Sequence, residues 1–265
     1  MNLFRRRGKQ KIPYEPALAR IEGGGIKRGL SAPEASVLLG RPLNLSLTLV
    51  LFEMLRKGFL VQEQAIPLTV AIAPPFQIKR ANLSLNEIKE QRRGAAQQLP
   101  AALALYEEAF LEVLETQHGR ASKIHFSIAV QPVIRFVAGR VGGYSLAETR
   151  AYYEALIERA PKEARSDGVL TIEREKVFDR NFGWLLMHPD FPSLLDQDDY
   201  SYQPVWWRKD PSLVPDKSFA TWARQVIDEM AANPSLESVK IELGEEEDLL
   251  SATLMNDIAR ATFYG

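Results

Sequence analysis

LSAPEASVLLGRPLNLSLTLVLFEMLRKGFLVQEQ, residues 30–64, decides the reading of the fold. Ser31-Ala32-Pro33-Glu34 has the form of a capping box, in which the serine hydroxyl and the glutamate carboxylate each take an orphan backbone N–H. Pro33 falls in the first turn, where its missing N–H does no harm. The helix that follows stops near Gly40. Arg41-Pro42-Leu43-Asn44 makes a turn, and a second helix runs from about Leu45 to Lys57, ended by Gly58. Phe59–Glu63 and Leu68–Ile72 read as two strands around Ala65-Ile66-Pro67. The pattern is helix, turn, helix, then a β-hairpin wing.

A winged helix invites a test for DNA binding. A DNA-reading second helix offers polar and basic side chains from its N-terminal half. Here that half is Leu45-Ser46-Leu47-Thr48-Leu49-Val50-Leu51-Phe52, with only two short polar groups. A helix apolar nearly all round packs on more than one side. The hairpin carries one charge, Glu63, of the wrong sign for phosphate. Only Lys27, Arg28, Arg41 and the N-terminal arm could serve phosphates. The residues therefore favour a winged helix used for protein contacts or internal packing over one that reads nucleic acid.

The chain has 265 residues, enough for one or two domains. Its net charge of −1 gives no overall attraction to nucleic acid or anionic lipid. There is no cysteine, which removes disulfides, thiolate metal sites and cysteine nucleophiles together, and fits a reducing cytoplasm. No apolar run reaches the roughly 18–20 residues that span a bilayer. The N-terminal MNLFRRRGKQK holds Arg5, Arg6, Arg7, Lys9 and Lys11 without an acid and lacks a signal peptide's apolar segment. It reads as a solvated tail, a basic arm against anionic headgroups, or a phosphate-binding arm.

Beyond the hairpin, residues 77–99 read as a polar connector with a capping box at Ser84-Leu85-Asn86-Glu87. Pro100–Thr116 has strong helical spacing of Leu103, Leu105, Phe110, Val113 and Leu114. Ile124–Val141 is taken as helix throughout, although Ile124, Phe126 and Ile128 alternate. Ser145-Leu146-Ala147-Glu148 opens a helix to about Ala164, and residues 173–188 form another. From residue 189 prolines accumulate around Trp206-Trp207, and the chain reads as extended and irregular. Lys217–Ala232 and Asp248–Phe263 read as closing helices, with a short strand at 238–243 between them and an acidic, solvated run at 242–248. The expected architecture is mainly α with a small hairpin wing: a winged-helix domain at 13–76, a connector at 77–99 and a mainly helical domain at 100–265.

The motifs that could carry chemistry are weak. His118, His125 and His188 lack a metal-ligand spacing and read as structural or surface histidines. Asp196-Gln197-Asp198-Asp199-Tyr200-Ser201 hints at calcium, but the EF-hand positions six and twelve hold Ser201 and Trp207. Gly23-Gly24-Gly25-Ile26-Lys27-Arg28-Gly29 lacks the Gly-Lys-Ser/Thr ending of a phosphate loop and reads as a flexible approach to the first helix. No catalytic residue is assigned, and no metal or cofactor is expected. Trp206-Trp207 cannot easily share a face in extended chain, so one is expected inside and the other in a groove. That groove, with Trp206, Trp207 and Arg208, is the expected partner site, because aromatic residues are enriched at interfaces.

Residues 23–62, GGGIKRGLSAPEASVLLGRPLNLSLTLVLFEMLRKGFLVQ, resemble the winged-helix cytoplasmic region of uncharacterised bacterial predicted membrane proteins. LYEEAFLEVLETQHG at 105–119, SLAETRAYYEALIERA and PVWWRKDP are similar to further segments of that group, so the likeness covers about residues 13–210. Such relatives usually carry transmembrane helices, and none is read in this chain. The resemblance implies that the basic arm lies on the cytoplasmic side of a membrane junction. It supplies no catalytic residues. The resulting expectation is a non-enzymatic interaction or regulatory module in the cytoplasm, with a protein partner and, through the basic arm, an association with the inner membrane face. A nucleic-acid-binding regulator is the alternative, and a hydrolase or metal enzyme a third.

Overall fold

The computed structural model describes residues 25–78, 83–97, 99, 102–164, 171–197 and 200–236. The basic arm Arg5, Arg6, Arg7, Lys9 and Lys11, the strand expected at 238–243, the acidic run at 242–248 and the helix expected at 248–263 lie outside those residues.

The described chain is mostly helical, with a small two-stranded antiparallel sheet. Helix α1 (Ala32–Leu38) begins where the capping box places it: the Ser31 N–H donates to Glu34 Oε2 at 2.6 Å. Helix α2 (Leu43–Lys57) follows after a short turn and ends on Gly58, whose φ of 81° is the left-handed conformation that glycine adopts without a Cβ penalty. Strands β1 (Leu60–Gln64) and β2 (Thr69–Ile72) pair with Leu60 opposite Ile72 and Gln62 opposite Val70, with an irregularity between Gln62 and Gln64.

Helix α3 (Leu85–Ala96) occupies the polar connector. Ile88, Arg92 and Ala96, four residues apart, make one buried stripe, so the element docks on one side rather than being solvated all round. Arg92 is 0% exposed and pairs with Glu115 of helix α4 (Leu105–Thr116). Helix α4 starts later than the periodicity suggests. The Glu107 carboxylate accepts from the Ala104 N–H at 2.7 Å and closes the first turn there, leaving residues 102–104 non-helical and Leu105 exposed.

Helix α5 (Ser127–Val141) likewise begins after Phe126, not at Ile124. Ile124 and Phe126 are buried from non-helical chain, which explains their strand-like alternation. Helices α6 (Leu146–Ala164) and α7 (Thr171–Met187) pack side by side. Gly183 of α7 lies so close to α1 that an added Cβ would stand 2.3 Å from the Cβ of Ala32; only a missing side chain allows this crossing. Two short strands, β3 (Asp196–Gln197) and β4 (Tyr200–Ser201), pair before a helical turn, α8 (Val205–Arg208). Helix α9 (Phe219–Met230) closes the described chain, capped by the Ser218 hydroxyl accepting from the Thr221 N–H.

One cluster of buried apolar side chains runs through all of these helices except α3, whose Ala96 alone joins it, and α8, which contributes Trp207. Helix α2 lies at its centre and touches α1, α7, α8, α9 and β1. Only Arg56 of its fifteen residues is exposed. Its polar side chains are satisfied inside the core: Thr48, at 0% exposure, donates to the Asn44 carbonyl, Asn44 donates to the Ile227 carbonyl, and Ser36 donates to the Ser46 hydroxyl.

The glycine-rich approach to α1 is not the flexible segment its composition suggests, at least from Gly25 onward. Ser145 N–H donates to the Gly25 carbonyl, Lys27 N–H to Thr149 Oγ1, and Leu30 N–H to the Tyr153 hydroxyl at 2.7 Å. These bonds lash the approach to α6. Among the described residues no helix is long and apolar enough to cross a membrane.

Candidate functional site

The segment after Pro204 is a helical turn, not extended chain. Successive residues of a helical turn lie about 100° apart, so Trp206 and Trp207 can both turn inward. Trp207 is 2% exposed and its ring centroid is 4.2 Å from that of Trp222 on α9. Trp206 is half-buried, 5.6 Å from Phe52 of α2 and 5.8 Å from Phe219 of α9. Phe52 stacks on Trp222 at 5.3 Å. The tryptophan pair thus completes an aromatic cluster around the middle of α2, in the offset and tilted geometries that aromatic quadrupoles favour.

The outer side of this cluster opens into a groove of about 480 Å³. One wall is β1 with Pro74 and Pro75, which follow the hairpin; the facing wall is Trp206 to Leu213. Leu55 and Gly58, at the end of α2, also line it. The lining is apolar apart from Gln62, Lys209 and Asp210. Gln62 reaches across and donates weakly to the Leu213 carbonyl at 3.3 Å. Asp210 is occupied locally, its carboxylate accepting from the Ser212 N–H at 3.0 Å and the Ser212 hydroxyl at 2.6 Å.

Three polar atoms of the groove-lining residues have no partner among the described residues: Trp206 Nε1, Trp207 Nε1 and Gln62 Oε1. All three are shut off from solvent. A buried donor left unpaired costs roughly 1–3 kcal/mol, so such groups are rare and need a reason. Trp222 on the same cluster shows the ordinary solution, its indole N–H donating to the Ala65 carbonyl at 2.9 Å.

Arg208, expected beside the tryptophans, does not line the groove. Its guanidinium donates to Glu175 of α7 at 3.1 Å. Among the described residues, the basic side chains named for phosphate have partners within the chain. Arg41 pairs with Glu154 at 2.6 Å, while Lys27 and Arg28 sit over the rings of Tyr144 and Tyr152. At the end of α2, Arg56 pairs with Glu53, and Lys57 reaches Glu107 at 2.8 Å. Burial pushes Glu53 up, but the hydrogen bonds and charges of Arg56 and Lys57 bring its carboxyl below the ordinary range. Glu107 is 0% exposed, and there burial prevails over Lys57 and holds the carboxyl above that range. The hairpin tip is no freer: the bond from Trp222 holds it to α9, and the Ala121 N–H donates to the Leu68 carbonyl.

The histidines stay apart in role. His188 Nδ1 accepts from the Asp190 N–H at 3.0 Å, His125 N–H donates to Gln117 Oε1, and His118 lines a separate surface depression with Glu63 and Glu115. No group of three or more metal-ligating side chains occurs among the described residues. In the acidic stretch, Asp196 pairs with Ser201 and Gln197 with Tyr200 as antiparallel strands.

Sequence reasoning reached the tryptophans and missed the opposite wall. Pro74-Pro75 reads only as the end of the hairpin unit, and Gln62 as an ordinary strand residue. Their apposition to Trp206 depends on contacts more than 130 residues apart, for which local pattern carries no signal. Comparison of the chain with protein-family models, curated proteins and solved structures gave no match.

Proposed function

We propose that this chain is a non-enzymatic protein-interaction module that takes an apolar partner segment in the groove between β1 and Trp206–Leu213. One observation carries the reading: β1, Pro74 and Pro75 stand across from Trp206–Leu213 in a groove of about 480 Å³ whose lining is apolar apart from Gln62, Lys209 and Asp210. An apolar segment seated there removes that lining from water, the main favourable contribution to protein association. In this reading α1, α2 and the hairpin form a winged helix whose second helix is used for internal packing. Its burial, the pinned hairpin tip and the committed basic side chains support that use over contact with a duplex. The module is cytoplasmic, and the basic arm at residues 5–11 brings it to the inner membrane face.

The test is a phage-displayed peptide library selected on the wild type and on Val61→Glu. Val61 is 41% exposed on the groove wall, so the added carboxylate spoils the groove without entering the core. Sequences enriched on the wild type and lost on the variant are expected. Enrichment indifferent to Val61→Glu overturns the reading. A salt-sensitive mobility shift with duplex DNA would favour the nucleic-acid alternative; none is expected.

A further inference from the structure

Resting on the reading that the module sits at the inner membrane face, we infer that the corner built by residues 25–28 and the start of α6 lies on anionic phospholipid headgroups, with the basic arm beside it. The net charge of −1 hides an uneven distribution. Residues 1–28 hold eight lysines and arginines against two acids, Glu15 and Glu22, whereas the remaining 237 residues hold 25 against 32. The chain up to Arg28 thus carries +6 and the rest −7. A molecule so divided turns its basic end toward an anionic surface and keeps the remainder away from it.

The structure fixes where that end lies. The Ser145 N–H holds the Gly25 carbonyl, so the 24 residues before Gly25, which include the whole basic arm, join the fold at this corner. Lys27 lies 5.0 Å from the centre of the Tyr144 ring, and Arg28 5.5 Å from that of Tyr152. The rings are neutral, so both positive charges remain uncancelled. Arg28 is exposed and lines a shallow depression with Gly25, Ile26, Glu148, Ala151 and Tyr152. Glu148 is the one acid in that lining. Basic side chains set among tyrosine rings and an isoleucine suit the boundary of a bilayer, where amphipathic rings sit at the level of the headgroups. Leu3 and Phe4, next to Arg5, continue that chemistry in the arm. The phosphates of a duplex give such apolar groups nothing to enter.

Because the chain has no cysteine, a single introduced one can carry a polarity-sensitive dye. Ala151→Cys places the dye on the corner and Glu63→Cys places it on the hairpin; both positions are exposed. The full chain is mixed with vesicles of phosphatidylcholine, alone or with phosphatidylglycerol, and binding is read by co-sedimentation. Binding to the anionic vesicles only is expected, with a blue shift of the dye at 151 and none at 63. Arg28→Glu should weaken binding about fivefold or more, and the joint change of Arg5, Arg6 and Arg7 to Ala about tenfold or more. Binding that leaves the dye at 151 unmoved, or that ignores Arg28→Glu, overturns the corner as the contact face and leaves the arm as the anchor. No binding to the anionic vesicles overturns the corner and the membrane reading together, without touching the groove. Binding to duplex DNA in preference to the anionic vesicles overturns the lipid assignment in favour of nucleic acid.

Discussion

Helix α2 and the α8 turn both send large apolar side chains into one core, yet they finish their polar groups differently. In α2 every buried hydroxyl and the Asn44 amide find a hydrogen-bond partner inside the fold. In α8 two neighbouring indoles bury their N–H groups and find none among the described residues. The first region is saturated and has nothing to offer a partner. The second leaves hydrogen-bonding capacity beside an open groove. Apolar composition alone does not separate a structural helix from a recognition surface; the state of the few polar atoms does.

The sharpest way to break this comparison is to damage the saturated side. Phe52→Ala removes the ring on which Trp206 and Trp222 pack and should cost about 4 kcal/mol in urea unfolding. A loss below about 1 kcal/mol would mean that α2 is not the centre of the core. Gly183→Ala should cost about 2 kcal/mol, because its methyl collides with Ala32 and the helices must part. Ala32→Gly in the same chain should restore part of that loss.

The tryptophans test the comparison directly. Trp222→Phe strands the buried Ala65 carbonyl, whereas Trp206→Phe deletes a donor that was already unpaired. The first should be costlier than the second by at least about 1 kcal/mol. Equal losses would show that the Trp206 N–H is satisfied in solution.

Tyr202→Phe sharpens the picture through pH. The Tyr202 hydroxyl donates to Asp179 at 2.5 Å, and its pKa is raised far above 10, first by burial and then by the Asp179 carboxylate. A folded-state pKa above the unfolded one adds stability that is complete below pH 10 and declines as pH rises beyond it. The stability gap between wild type and Tyr202→Phe should therefore stay level up to pH 10 and narrow above it. A gap that widens there would contradict the burial of the hydroxyl. Smallest of all, Val61→Glu should change stability by no more than about 0.5 kcal/mol while removing peptide binding.

Much of the frame was legible because its signals are local. Ser31 and Glu34 mark a helix start, Gly58 a stop, and the spacing within α6 and α9 shows their buried faces. Legibility failed where a second signal, a cap close by or a contact far along the chain, overruled the period. The pattern from Pro100 continues smoothly through Leu105, but Glu107 caps Ala104 and starts the helix there. The prolines around Trp206-Trp207 suggest extended chain, yet Pro204 opens a helical turn, where its missing N–H is harmless. The glycines before α1 suggest freedom, and α6 removes it from Gly25 onward. At the groove, the tryptophans were visible in advance. Their unpaired state was not, because it depends on where acceptors far along the chain come to lie.

The bond from the Trp222 indole to the Ala65 carbonyl spans 157 positions. On the ribosome, the hairpin emerges long before its anchor is made. Until residue 222 clears the exit tunnel, the Ala65 carbonyl has no indole to accept from, and β1 and β2 are held by their own pairing and by α2 and α4. The aromatic cluster is therefore complete only once α9 has been made. A nascent chain halted before α9 would display helices and strands yet leave Phe52, Trp206 and Trp207 without the Trp222 ring they pack against.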